Sequence, residues 1–314
     1  MNISVIDLHC DTALELLNPK GERIRRLRRN ELAVSLERGK RLGRYAQFFA
    51  VFTTPGMNRD GGLGPEAVFS AVLNNLLSEL EENSDLVARA RTARDIEAIT
   101  AQGKIAAVLS LEGPAGIGFD PGRLDELAEL GFRMATLTWN EQNPLAGSHA
   151  TGGGLTAQGR EFVRRAQSLG ILLDVSHLGE RAFWDLMNVT RGPVSASHSN
   201  CRAVHGVTRN LTDEQFRAIC ETGGVAGVNL YSSFLGSGEV TLDTVCRHIL
   251  HWLEIGGEKN IALGGDLDGC ESLPLGFSGV DCYAALAEKL LAHGVSRQVV
   301  EDIFWNNALN LLKE

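Results

Sequence analysis

The sequence predicts an α/β fold of the (β/α)₈ TIM-barrel type, built as a single domain over residues 1–314. Three observations lead there. Eight short apolar runs recur along the chain. The segments between them carry apolar residues at helical spacing. Almost every run stops on a polar residue able to do chemistry.

The runs occupy residues 5–11, 45–53, 105–112, 134–140, 171–177, 194–198, 225–230 and 261–266. Between them, Leu124, Leu127, Ala128 and Leu130, or Phe162, Val163, Ala166 and Leu169, have the spacing of one helix face. Strands alternating with helices imply parallel strands joined by crossovers. Eight such units in 314 residues favour a closed barrel over an open sheet. No stretch reads as a linker, and the Gly-rich segments 56–64 and 152–154 read as loops over one end of the barrel. Segment 152–154 lacks the arrangement of a phosphate-binding loop, so no nucleotide is assigned to it.

Composition narrows the function classes. Hydrophobic residues are 44%, charged residues 22% and the net charge −9, with a pI near 5.5. This average, acidic balance argues against nucleic acid as a partner. Lys20, Arg23, Arg25, Arg26, Arg28 and Arg29 crowd together, which reads either as a solvated face or as a phosphate contact. The first residues show no basic start before an apolar run, and no stretch nears the roughly 20 apolar residues of a membrane span. The six cysteines show no CxxC spacing. A cytoplasmic protein with reduced thiols and no membrane partner is expected.

The ends of the runs carry the chemistry: His9 with Asp11, then Glu112, Asn140, His177, His198, Asn229 and Asp266. In this barrel all C-terminal strand ends meet at one face. Strand alternation turns His9 and Asp11 to one side and Cys10 to the other, which offers one ion a nitrogen and a carboxylate. A buried His–Asp hydrogen bond is the other reading. Glu112, followed by Gly113-Pro114, is a carboxylate closing an apolar strand, where a cation or an arginine must offset its burial. His177 and His198 could each be a satisfied core histidine. Two imidazoles, Glu112 and the His9/Asp11 pair nevertheless form a donor set that suits zinc. Asp266 is the candidate general base and acid. Asp268 reads better as a loop aspartate capping the next helix. Thr212, with Asp213 and Glu214 after it, marks a helix start.

The motifs Ile6-Asp7-Leu8-His9-Cys10-Asp11, Ser110-Leu111-Glu112-Gly113, Asp174-Val175-Ser176-His177, Ser197-His198-Ser199-Asn200, Thr208-Arg209-Asn210-Leu211 and Gly265-Asp266-Leu267-Asp268-Gly269 stand in a characteristic order. In them the chain resembles the renal (membrane) dipeptidase family of zinc metallopeptidases, in its bacterial branch, relatives of the amidohydrolase barrels. The resemblance implies a dipeptidase with two Zn²⁺ ions, other divalent metals being an option. His9, Asp11 and Glu112 would hold one ion; Glu112, His177 and His198 would hold the other, and Glu112 would bridge them. It further implies Asp266 as catalytic aspartate beside a bridging water and Arg209 as the group that binds the substrate's carboxylate. The residues themselves leave Arg209 equally readable as a surface residue ahead of a helix.

One position departs from the animal enzymes, which place a substrate-contacting histidine where this chain has Trp139. Indole donates one hydrogen bond but cannot transfer a proton as imidazole does. Trp139 and Asn140 are therefore candidate substrate contacts, with Asn143 or His149 as further groups to cover the gap. The substrate expected is a small dipeptide, over a broad range that includes L-Xaa-D-Xaa. Apolar stretches on the barrel helices are compatible with a homodimer. Two other functions share the pattern: an amidohydrolase for N-acyl amino acids, lactams or lactones, and a catalytically inactive barrel with a binding role.

Overall fold

A computed structural model describes residues 3–57 and 62–313. Residues 58–61, within the segment read as a loop at 56–64, lie outside the described residues. The strands are β1 (Ser4–Cys10), β2 (Arg44–Phe52), β3 (Val87–Arg89), β4 (Ile105–Glu112), β5 (Phe132–Thr136), β6 (Leu172–Asp174), β7 (Val194–Ala196), β8 (Val225–Val228) and β9 (Ile261–Leu263). They follow the order β2-β1-β9-β8-β7-β6-β5-β4-β3, and the β2–β4 pairing closes the ring. Every ladder between them is parallel. The barrel therefore has the eight expected strands.

The ninth, β3, is outside the sequence expectation. Its Val87-Ala88-Arg89 pairs with Ile105 to Ala107 of β4, below the point at Leu109 where β5 takes over the same edge. Three residues are too few to show alternation. Several barrel strands are also shorter than the apolar runs, so Asn140, His177, His198, Asn229 and Asp266 lie beyond the last paired residue, in loops. At two of them the backbone shows the reason: φ is 67° at His177 and 55° at Asp266, a left-handed conformation that no strand accommodates.

Two apolar layers result from strand alternation. Ile6, Leu8, Ala46, Phe48, Ala106, Val108 and Met134 fill the barrel, and Trp305, Ala308 and Leu309 of the C-terminal segment join the same cluster. Outward-facing residues such as Val5, Tyr45 and Leu109 pack with the helices. Those helices follow the expected faces. Helix Leu124–Leu130 buries Leu124 and Leu127 and ends at Gly131 with φ 95°, while Ala157–Ser168 buries Phe162, Val163 and Ala166. Helix Asp213–Glu221 starts at Thr212 as expected, in a reciprocal capping box with Gln215.

The crowded arginines are matched by carboxylates of the same chain. Arg23 and Arg26 both reach Glu79, a fully buried residue that also accepts from the amide of Leu27. Arg28 pairs with Asp85 and Arg25 with Glu31. The cluster thus ties the segment after β1 to helix Pro65–Glu82. All six cysteines are free thiols. Among the described residues no helix is long and apolar enough to cross a membrane.

Barrel filling outweighs helix capping in this arrangement. Phe48→Ala, inside the barrel, is expected to cost about 3–5 kcal/mol, against about 1 kcal/mol for Thr212→Ala. Equilibrium urea unfolding of the two variants measures both, and a larger loss for Thr212→Ala would contradict the assignment of the core.

Candidate metal centre

The first candidate ligand pair, His9 and Asp11, depends on a fault in strand alternation. Ile6 and Leu8 already face the barrel interior, so a regular strand would turn His9 outward. Between Asp7 and Cys10 the register against β2 slips, with Asp7 opposite Gln47 and Cys10 opposite Phe49. One extra residue lets His9 face inward after Leu8 and sends Cys10 to the outer layer. Asp11 follows at the mouth. Buried Asp7 holds this turn by accepting from the amides of His9 (2.9 Å) and Gly265 (3.1 Å).

Glu112 is the last residue of β4 and is buried. Gly113 follows at φ 69°, where a Cβ would lie 2.0 Å from the carbonyl oxygen of Thr53. Only glycine permits that approach. The two oxygens of Glu112 then serve different neighbours. Oε2 lies 3.2 Å from His9 Nε2. Oε1 lies 3.0 Å from His177 Nε2 and 3.7 Å from His198 Nε2.

His177 Nε2 and His198 Nε2 are themselves 2.9 Å apart. His9 Nε2 is 3.4 Å from Asp11 Oδ2 and 3.9 Å from Asp266 Oδ1. The rings of His9 and His198 stack at 3.8 Å. All five expected ligands thus converge on one place.

The donor set fits metal on several counts. His9 Nε2 and Asp11 Oδ1 are buried without a hydrogen-bond partner. Single atoms of His9, Glu112 and His198, and of His9, Asp11 and Asp266, lie within 4.8 Å of one another. Gly269 leaves the space open, since a Cβ there would lie 2.0 Å from Asp11 Oδ2 and 2.7 Å from Asp266 Oδ1. Nitrogen and carboxylate donors without sulfur suit a borderline divalent cation.

The electrostatics lead to the same conclusion. Burial, with Asp11 and Asp266 nearby, pushes the Glu112 carboxyl up to about 8 despite His9. Burial alone would lower His9, but Glu112 and Asp11 outweigh it and hold the imidazole well above its usual value. Burial pushes His177 and His198 well below theirs, with Arg209 and His9 adding to it. Buried carboxyls that keep a proton on His9, beside the two neutral imidazoles of His177 and His198, make a place suited to cations.

Asp266 stands beside the ligands, with Oδ2 accepting from Asn229 Nδ2 at 2.9 Å. Burial raises its carboxyl. Asp268 corrects the expectation of a helix cap. It accepts from Thr12 Oγ1 (2.6 Å) and the amides of Ala33 (2.7 Å) and Val34 (3.3 Å), which pins the segment after β1.

Arg209 is no surface residue. It is 4% exposed, and its Nη1 donates to Ser199 Oγ at 2.9 Å. Nε and Nη2 are buried without a hydrogen-bond partner. Such a guanidinium has two donors left to offer an anion.

The ligands open on a cleft of about 450 Å³, walled by Phe52, Trp139, Tyr231 and Phe234 and bordered by His149 and Glu271. Trp139 stacks edge-on against Phe52 at 5.2 Å. Asn140 Oδ1 is engaged by His177 Nδ1 and His149 Nε2, both at 2.9 Å. Asn143 is occupied by its own loop, bonding Leu137 O and the amides of Leu145 and Ala146. Phe52, Tyr231 and Phe234 escaped sequence reasoning because isolated aromatics carry no spacing signal. Ser197 and Asp174 had one: they are polar residues inside apolar runs, next to His198 and in the same motif as His177.

Comparison with known proteins agrees with this geometry. Membrane dipeptidase (Peptidase family M19) matches residues 1–314. A metallo peptidase from Rhodobacter sphaeroides, liganded with a phosphinate mimic of the dipeptide L-Ala-D-Ala, superposes with a TM-score of 0.90 at 29% identity, covering 99% of both chains. The metallo peptidase called dipeptidase AC gives a TM-score of 0.89 at 31% identity, over 99% of this chain and 98% of that one. A Klebsiella pneumoniae protein described only as uncharacterized, in the pqqA 5′ region, is 36% identical over 71% of this chain and 86% of its own. The match across the whole sequence, joined to the converging ligands, places the chain in the membrane dipeptidase family of metallopeptidases, peptidase family M19.

Proposed function

We propose that the chain hydrolyses the amide bond of free dipeptides over a broad range that includes L-Xaa-D-Xaa, using two zinc ions. The observation that carries this reading is Glu112, whose oxygens face His9 on one side and His177 with His198 on the other. His9, Asp11 and Glu112 would hold one ion, and Glu112, His177 and His198 the second. Such ions, when bound, polarise a carbonyl and lower the pKa of an attacking water.

The remaining work falls to the chain. Asp266 Oδ1 is free to take the water's proton while Asn229 fixes Oδ2, and the same carboxyl returns that proton to the leaving amine. The unused donors of Arg209 would take the substrate's terminal carboxylate. Phe52, Trp139, Tyr231 and Phe234 limit water in the cleft. Trp139 would contact substrate through its ring face, and Asn140 would act mainly by holding His177 and His149. A titrating histidine in the place of Trp139 is therefore not required by the proton path. Six free thiols support the cytoplasm as the compartment.

Zinc titrated into metal-depleted protein is expected to restore L-Ala-D-Ala hydrolysis and level off near two equivalents. Full occupancy without dipeptide cleavage would shift the reading to N-acyl amino acids, lactams or lactones. Asp266→Asn is expected to lower kcat by about 10²–10⁴-fold with zinc content unchanged. Steady-state kinetics with metal analysis decides, and a kcat within tenfold of the parent would remove the proton role. Arg209→Ala should harm free dipeptides far more than C-terminally amidated ones, as read from kcat/KM. Equal losses would refute carboxylate recognition.

A further inference from the structure

Ser197 and Asp174 form a buried pair behind His198, and neither has a role in the account above. Asp174 is 1% exposed and Ser197 and His198 are wholly buried. Asp174 Oδ1 accepts from the amides of Ser176 (3.0 Å) and Ser197 (2.9 Å). Its Oδ2 accepts from the hydroxyl of Ser197. Ser197 Oγ also lies 2.6 Å from His198 Nδ1.

A hydroxyl has one hydrogen to give. Two backbone amides take up Asp174 Oδ1, and the Ser197 hydroxyl donates to Oδ2, which commits its one hydrogen there. Ser197 Oγ can then only accept from His198, and the imidazole must carry its hydrogen on Nδ1. That leaves the lone pair of Nε2 pointing at Glu112 and His177.

We infer that Asp174 and Ser197 are a positioning pair that fixes the tautomer of His198 and so prepares its Nε2 to bind metal. The inference rests on the proposed metal centre only for its consequence; the tautomer itself is a property of the metal-free chain. His177 is held differently, through the neutral side chain of Asn140. The pair also joins the two loops that carry the ligands, because Asp174 ends β6 while Ser197 and Ser176 follow β7 and β6.

The logic can be inverted by one atom. In Asp174→Asn the oxygen at Oδ1 keeps its two backbone amides, so the amide nitrogen faces Ser197. The hydroxyl then accepts from the amide and donates to His198 Nδ1, at 2.6 Å a nearer acceptor than Ser176 Oγ at 3.4 Å, which places the imidazole hydrogen on Nε2. Long-range ¹⁵N–¹H spectra of metal-free protein, with labelled histidine, read the tautomer directly. Zinc competition against a chelator reads the consequence, and thermal unfolding controls for stability.

The parent protein is expected to show His198 with hydrogen on Nδ1. Asp174→Asn is expected to show it on Nε2 and to bind the weaker zinc equivalent about 10–100-fold less tightly. Ser197→Ala should lose the bias with a smaller fall in affinity, and Ser197→Thr should retain both. An Asp174→Asn protein that keeps the parent's tautomer and zinc affinity overturns the inference. If that variant does not fold, Ser197→Ala decides, and an unchanged tautomer and affinity there overturns it equally. A parent that binds no zinc would instead defeat the metal centre, while its tautomer would still decide this point.

Discussion

Glu112 is a carboxylate buried at the end of an apolar strand, with a histidine on each side of it. A bare charge in that place costs several kcal/mol unless cations and hydrogen bonds offset it. Burial pushes its carboxyl up to about 8. Divalent cations held by this cluster, as proposed, would offset that cost. The other candidate ligands surround it. His9 and Asp11 close one side, and His177 and His198 close the other.

Local backbone geometry is bent to the same end. A register slip in β1 turns His9 inward, where regular alternation would bury it under helices. His177 and Asp266 adopt φ values of 67° and 55°, which cost of order 1–3 kcal/mol each for residues other than glycine. Gly113 and Gly269 supply the close approaches that no Cβ allows. The surrounding barrel, filled by Phe48 and its neighbours, is rigid enough to hold these departures in place.

Much of this was legible in the chain before any coordinates. The eight apolar runs gave the barrel strands because alternation and length survive in sequence. Polar residues at their ends gave the cluster around Glu112 because a barrel gathers strand ends at one face. The short β3 was not legible, since Val87-Ala88-Arg89 is too brief to show a period. The sequence alone suggests a helix cap for Asp268, because its actual partners Thr12, Ala33 and Val34 are more than 230 residues away. The burial of Arg209 is illegible for the same reason: burial by distant elements has no local signature. The aromatic walls of the cleft belong to that class as well.

The most direct measurement is anomalous diffraction at the zinc edge from crystals of zinc-loaded protein. Two peaks are expected, one touched by His9, Asp11 and Glu112 and the other by Glu112, His177 and His198. A single peak that leaves His177 and His198 uncontacted, or no peak at Glu112, would contradict the binuclear account.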